Sequence, residues 1–357
     1  MSSIDVALDY RLLARVLRDP IELDRLSAEE FSRTIDAADG ARLLGWLIER
    51  RRERRVPNDP PGWLADRLVT AEARARGYER ALRWEINRLQ RAFLGTGLTW
   101  ILMKGAGYAA AGLPPGSGRR VADIDIMVPG GDLARVERIL NEHGWEIPAM
   151  DPYDTRYYRE WMHELPPMVH RERRSVIDVH HAILPRTSRL KPSPERMIAR
   201  SLVVNGFRVF CPAHMILHGA AHLFHDGEVA GAIRDLVDLD QLFRAFSNQE
   251  GFWRDLVAEA EALDLKRPAY YAMRYAQIEF GTPVPPDAAQ AIAGWSPRRF
   301  VRYGMDSLVR RSIATSKRTS PAAAFGLWVR MHWLKMPPLQ LARHLAHKTL
   351  LPPSRHH

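Results

Sequence analysis

The stretch VADIDIMV, Val121–Val128, reads as a buried strand interrupted by two acids, Asp123 and Asp125. Side chains two apart on a strand share one face, ~7 Å apart. Two like charges on a core-forming element are costly unless something compensates them. Taken alone, Asp-x-Asp also fits a surface loop or an edge strand, but the apolar flanks argue against that. A second apolar run, SVIDVHHAIL, carries Asp178 in the same kind of setting. Three carboxylates on neighbouring strands would make a hard-oxygen site suited to Mg²⁺ or Mn²⁺. Two such ions can hold the attacking and leaving oxygens of a phosphoryl displacement. Whether Asp178 meets the Asp123–Asp125 pair is not written in the sequence. Without a metal, the strand is expected to carry an unresolved repulsion.

Upstream, LTWILMKGA (Leu98–Ala106) reads as a strand that ends at Lys104-Gly105 and runs into a helix. Glycine there allows close backbone approach, and a helix start offers free N–H groups to phosphate. PPGSGRR then reads as a mobile loop leading into the Asp-Ile-Asp strand. It lacks the lysine spacing of a P-loop. GGDLARVERILNEHGW reads as an amphipathic helix closed by Gly144. PPMVHR with SVIDVHHAIL predicts a hairpin, and Asn205-Gly206 in LVVNGFRVFCP is a strong two-residue turn signal for another. Residues 1–95 read as helical. They include a capping-box pattern at Ser27 and Glu30, a proline break at VPNDPPGW, and a long helix from about Leu64 to Leu94. That helix has apolar positions at Leu68, Ala71, Ala75, Tyr78, Leu82, Trp84 and Leu89. From Ala213 the chain returns to helices. The expected fold class is α+β. A small mixed sheet over residues 96–212 is flanked by helical regions over 1–95 and 213–357.

The ordered set ILMKGA, GLPPGSGRRVADIDIMV, ILNEHGW and VIDVHHAIL resembles the nucleotidyltransferase superfamily with the DNA polymerase β-type fold. More narrowly, it resembles a bacterial family of uncharacterised nucleotidyltransferases. The resemblance spans roughly residues 65–245 and includes HGAAHLFHDGEVAGAIRDLVDL, with His222, Arg234, Asp235 and Asp238. It implies that Asp123, Asp125 and Asp178 bind the metal ions and that Asp178 helps deprotonate an acceptor hydroxyl. It implies that Lys104 and the Gly105 backbone hold the β- and γ-phosphates of an NTP, with Arg119 neutralising developing charge. His180 shares the face of Asp178 and would orient a phosphate or acceptor, or support the site by a hydrogen bond. His222, Arg234, Asp235 and Asp238 would face the acceptor or back the site. Better-known superfamily members carry a glycine-serine pair where this chain has Lys104-Gly105.

The expected reaction is transfer of NMP from an NTP to an acceptor hydroxyl, with release of pyrophosphate. Three alternatives stand beside it: a kinase-like phosphoryl transfer on the same scaffold, a non-catalytic nucleotide-binding module, and a toxin-like transferase modifying tRNA. The acceptor is open among a peptide, a small molecule and RNA. Other chemistries find less support. His214, His218, His222 and His225 form a helical stripe, but no HExxH accompanies it, and packing is the preferred reading. No GxSxG elbow occurs.

At 357 residues and 46% hydrophobic, the chain can bury a sizeable core. The single cysteine, Cys211, excludes an intrachain disulfide, and a reducing cytoplasm is expected. No stretch approaches the ~20 apolar residues of a membrane span. The net charge of +10 is concentrated after Trp295, where twelve Lys or Arg face one acid, Asp306. That imbalance suggests a polyanionic partner (nucleic acid, an acidic peptide or anionic lipid) and fits a solubilising face equally well. Within this region AAAFGLWVRMHWLKMPPLQLARHLAHKTLL fits a core-packed terminal helix better than a membrane-surface helix, and a peptide- or RNA-docking surface fits equally well. His356 and His357 resemble a trimmed purification tag and carry no site expectation.

Overall fold

The computed structural model describes residues 12–53, 62–227, 229–313 and 320–337, together with Leu341. Most of the proline break, and Lys317, Arg318, Arg343, Lys348 and Arg355 of the basic region, lie outside the described residues.

The capping box predicted at Ser27 opens helix α1, Ala28–Gly40. Glu30 N donates to Ser27 Oγ at 3.3 Å, and Ser27 N donates to Glu30 Oε2 at 3.0 Å. Helix α2, Leu44–Glu53, packs on the long helix α3, Gly62–Phe93. Ala75, Leu82, Ile86 and Leu89 give α3 its buried stripe. Tyr78 and Trp84, expected among its apolar positions, are instead exposed, Trp84 at 45%. Arginines cover their rings: Arg88 and Arg173 lie over Trp84, and Arg120 lies over Tyr78.

The sheet has seven short strands: β1 Ile101–Leu102, β2 Asp123–Met127, β3 Trp145–Glu146, β4 Met168–His170, β5 Val176–His180, β6 Leu202–Val204 and β7 Phe207–Val209. Their spatial order is β3-β4-β5-β2-β1-β7-β6. The β2–β5 and β1–β7 pairs are parallel and the remaining pairs antiparallel. Both predicted hairpins are present. In the second, Asn205 and Gly206 take positive φ of 50° and 81°, as a two-residue hairpin turn requires. Helix α4, Lys104–Ala110, follows β1. Helix α5, Leu133–Glu142, follows β2 and buries Val136, Ile139 and Leu140. The short helices α6, Pro152–Arg156, and α7, Pro194–Ala199, lie in later connections.

After β7 come α8 Pro212–Ala221, α9 Ile233–Phe246, α10 Phe252–Ala262, α11 Lys266–Phe280, α12 Pro286–Ala293, α13 Arg299–Ser312 and α14 Pro321–Lys335. The fold is α+β, with helical regions flanking a mixed sheet. Most of the buried apolar side chains among the described residues form one continuous cluster, reaching from Leu13 through the sheet to Leu327. Helix α14 buries Ala323, Leu327 and Met331, while Phe325, Val329 and Trp333 on the same helix are exposed, and the segment after Pro337 lies outside the described residues apart from Leu341. Among the described residues, no helix is long and apolar enough to cross a membrane.

One polar knot ties α7, α8 and α10 together. Glu259, fully buried, accepts from Arg196 Nε and Nη2 at 2.8 and 2.7 Å and meets His214 Nε2 at 2.8 Å, with Arg200 as a further partner. Arg196 first, against the opposing pull of burial, and then His214 draw the Glu259 carboxyl down to about 2. Glu259→Ala should destabilise the protein by about 3 kcal/mol in urea unfolding. That is the low end for a broken buried ion pair, because both arginines reach solvent. An unchanged midpoint would show the knot to be dispensable.

Candidate active site

Strand register brings the three carboxylates together. In the parallel β2–β5 pair, Asp125 lies opposite Asp178, Asp123 opposite Val176 and Met127 opposite His180. Residues two apart share a face, and in-register neighbours on adjacent strands share it too. Asp123, Asp125, Asp178 and His180 therefore project from one face near the middle of the sheet.

Lys104 approaches from β1. Its backbone is left-handed, φ 44°, a strained state for a residue with a Cβ. The turn that imposes this is pinned by Met103 N donating to Asp125 O at 3.0 Å. Lys104 Nζ then lies 2.7 Å from Asp125 Oδ1, and His180 Nε2 lies 3.0 Å from the same oxygen. Burial pushes the Asp125 carboxyl up, but Lys104 and His180 outweigh it and hold Asp125 ionised. Burial likewise works against the Lys104 charge, and Asp125 more than restores it. Asp178 has no such support. Burial, then Asp125 and Glu164, push its carboxyl up to about 7, and its Oδ1 is buried without a hydrogen-bond partner. The repulsion expected along Asp-Ile-Asp is thus relieved at Asp125 by Lys104 and His180, and is concentrated at Asp178.

A pocket of about 250 Å³ opens beside this cluster. Lys104, Gly105, Arg119, Asp123, Asp125, His222, Arg234, Asp235 and Asp238 all line it. Asp178 and His180 join from β5 and are not on its wall. Arg119 forms a buried ion pair with Asp238 of α9, which keeps its guanidinium charged. Arg234 reaches Asp235 at 3.6 Å. A Cβ on Gly105 would meet Val121 Cγ2 at 2.9 Å and Arg119 Nε at 3.0 Å. Glycine at 105 therefore lets Arg119 pass into the pocket.

The loop before β2, expected to be mobile, is packed. At Gly118, φ 62°, a Cβ would meet the Gly45 carbonyl oxygen of α2 at 2.4 Å. A Cβ on Gly45 would meet the Gly118 carbonyl oxygen at 2.1 Å. Backbone lies directly on backbone there, and the loop delivers Arg119 and Arg120 from that anchor.

The histidine stripe divides among separate partners. His214 binds Glu259, His218 packs edge-on against Phe210, His222 lines the pocket, and His225 shares a 2.7 Å hydrogen bond with Ser188. Two site residues escape the sequence patterns. Glu164 pairs with His180 in an antiparallel bridge, its Oε2 3.2 Å from His180 Nδ1, and burial raises its carboxyl. His163 stacks at a tilt 5.2 Å from the His180 ring. Both sit in WMHELPP, which has neither strand alternation nor helical period to announce them.

A protein-family model described as an uncharacterised nucleotidyltransferase matches residues 27–281, further in both directions than the motifs alone reach. No curated protein and no solved structure matches the chain.

Proposed function

Because this chain belongs to the uncharacterised nucleotidyltransferase family, we propose that it transfers NMP from an NTP to an acceptor hydroxyl, with release of pyrophosphate. One observation carries this reading: Asp125 and Asp178 face each other in register on parallel strands, with Asp123 on the same face. The residues suit the divalent ions such a reaction uses. The donors are hard carboxylate oxygens, and one of them, Asp178 Oδ1, is buried without a partner. Lys104 already places a positive charge on Asp125.

On this reading Asp123, Asp125 and Asp178 would hold Mg²⁺ or Mn²⁺. When bound, the ions would neutralise phosphate charge and lower the proton affinity of the attacking hydroxyl. Asp178, across from Asp125 in register, would also help to take the proton the acceptor loses. Lys104, displaced from Asp125, would turn to a phosphate oxygen as a point charge. Arg119, kept charged by Asp238, would present its guanidinium to the leaving phosphate. His180 keeps Asp125 oriented. His222, Arg234, Asp235 and Asp238 line the pocket and would face the acceptor or back the site. Positioning and charge neutralisation supply most of the rate in such a site.

A polyanionic partner and a cytoplasmic setting belong to the same proposal. Part of the basic region is engaged internally: Arg330 donates to Phe224 O at 2.7 Å, and Lys335 lies 3.0 Å from Asp226. Arg298, Arg299, Arg310 and Arg311, on or beside α13, stay exposed and are the residues such a partner would meet.

The test is incubation with α-labelled or γ-labelled NTP, Mg²⁺ and cell extract. Label from the α position should reach an acceptor while pyrophosphate is released. Release of NDP with γ-label transfer would replace the reading by phosphoryl transfer. Equal transfer by Asp123→Asn/Asp125→Asn would sink the metal assignment. Mg²⁺ with NTP should also raise the melting temperature, by about 2.7 kcal/mol of stability at a hundredfold excess over Kd. A melt indifferent to both would count against nucleotide binding.

A further inference from the structure

Behind the carboxylates, the end of β5 is flanked by a short antiparallel run. Leu165 N donates to Val179 O and His181 N donates to His163 O, both at 2.9 Å. These bonds fix Glu164 directly opposite His180. One donor atom from each of His163, Glu164 and His180 then lies within 4.8 Å of the others.

The hydrogen bonding of His180 assigns its tautomer. Nε2 faces Asp125 Oδ1, an ionised acceptor, and so carries the proton. His180 Nδ1 is buried without a hydrogen-bond partner, although Glu164 Oε2 lies 3.2 Å away. Two acceptors facing each other require a cation or a proton between them. His163 Nδ1 is also buried without a hydrogen-bond partner, in a side chain only 6% exposed. A proton shared between His180 and Glu164 would settle that pair and leave His163 orphaned. A metal ion would engage all three.

We propose that His163, Glu164 and His180 bind a transition-metal dication of the zinc class at a site distinct from the carboxylate pair Asp123 and Asp125. Two imidazoles and one carboxylate are a donor set suited to Zn²⁺ and its neighbours, whereas Mg²⁺ prefers oxygen alone. Burial holds His163 neutral, the state a ligand needs. Asp125 behind His180 Nε2 completes the carboxylate–histidine–metal arrangement that orients metal-binding rings. Bonds of about 2.1 Å place tetrahedral ligand atoms roughly 3.4 Å apart, so the widest pair would close by at most roughly 1.4 Å. Three protein ligands leave a fourth position open.

The experiment titrates Zn²⁺, and separately Mg²⁺, into the chelator-stripped full chain. A His356→Ala/His357→Ala background removes the terminal pair as a competing chelator. Calorimetry and elemental analysis should find one equivalent of Zn²⁺ that excess Mg²⁺ does not displace, and Co²⁺ should give the absorption of a nitrogen-ligated ion. His163→Gln and Glu164→Gln should each weaken binding tenfold or more, whereas Asp123→Asn leaves it intact. Thermal melts of each metal-free variant separate lost binding from lost folding, and Glu164→Gln serves should His163→Gln not fold. Absence of stoichiometric Zn²⁺, or unchanged affinity in both variants, overturns the proposal. Loss in Asp123→Asn equal to that in His163→Gln would place the ion at the carboxylates and overturn it as well. None of these readouts depends on nucleotidyl transfer.

Discussion

Asp125→Asn is expected to abolish nucleotidyl transfer and to destabilise the fold at once. The asparagine keeps the shape and removes the charge. Lys104 Nζ, 2.7 Å away and three-quarters buried, then loses its counter-ion. Breaking one side of a buried pair costs about 3–5 kcal/mol; the partial exposure of Lys104, the nearby Asp123 and the repulsion lifted from Asp178 bring this to about 2 kcal/mol. Transfer should fall roughly 10³-fold or more, since charge stabilisation at the reacting phosphate is the main catalytic effect on this reading. Denaturant unfolding and labelled-NTP transfer on one preparation check both parts. A variant that is as stable as the parent would show that Lys104 is held by something other than Asp125.

Asp178→Asn should do the opposite to stability while also removing activity. Burial, Asp125 and Glu164 lift the Asp178 carboxyl from its ordinary 3.8 to about 7. In the unfolded chain it ionises near pH 4. Between pH 4 and 7 the folded protein therefore holds the extra proton, and stability falls as pH rises through that window. Above pH 7 the full penalty applies. Three units correspond to about 4 kcal/mol, and the partial exposure of Asp178 reduces this to on the order of 3 kcal/mol. The metal-free variant should melt above the parent at pH 8 and level with it at pH 3.5. Mg²⁺ should stabilise the parent at pH 8 and leave the variant unmoved. Coincident melts at both pH values would mean that Asp178 is not under repulsion.

These two neighbours were alike on the page of letters and differ in the fold. Asp123, Asp125 and Asp178 were legible because each breaks an apolar run, and an acid in an apolar strand demands a reason. Asn205-Gly206 and the Ser27–Glu30 box were legible because their chemistry is local. The β2–β5 pairing was not, since some fifty residues separate Asp125 from Asp178 and only tertiary contacts set the register. Nor was the partner of Lys104. A strand-end lysine beside a glycine looks ready for phosphate, whereas its place on Asp125 depends on a left-handed turn and a neighbouring strand. Glu164 and His163 were hidden because their role arises from one bridge to His180, across an aperiodic segment. Tyr78 and Trp84 misled because aromatic residues read as core, and three arginines over their rings let them stay near solvent instead.

The backbone contact between Gly45 and Gly118 makes helix α2 a lever on the pocket. With no side chain to yield between the two carbonyls, a shift of α2 passes directly into the loop. One residue on, that loop becomes Arg119, whose guanidinium ends on Asp238 of α9. The helices before the sheet are thereby in mechanical series with a wall of the site on its far side. A displacement of α2 would therefore be expected to alter the spacing between Arg119 and the carboxylates without a direct contact to either.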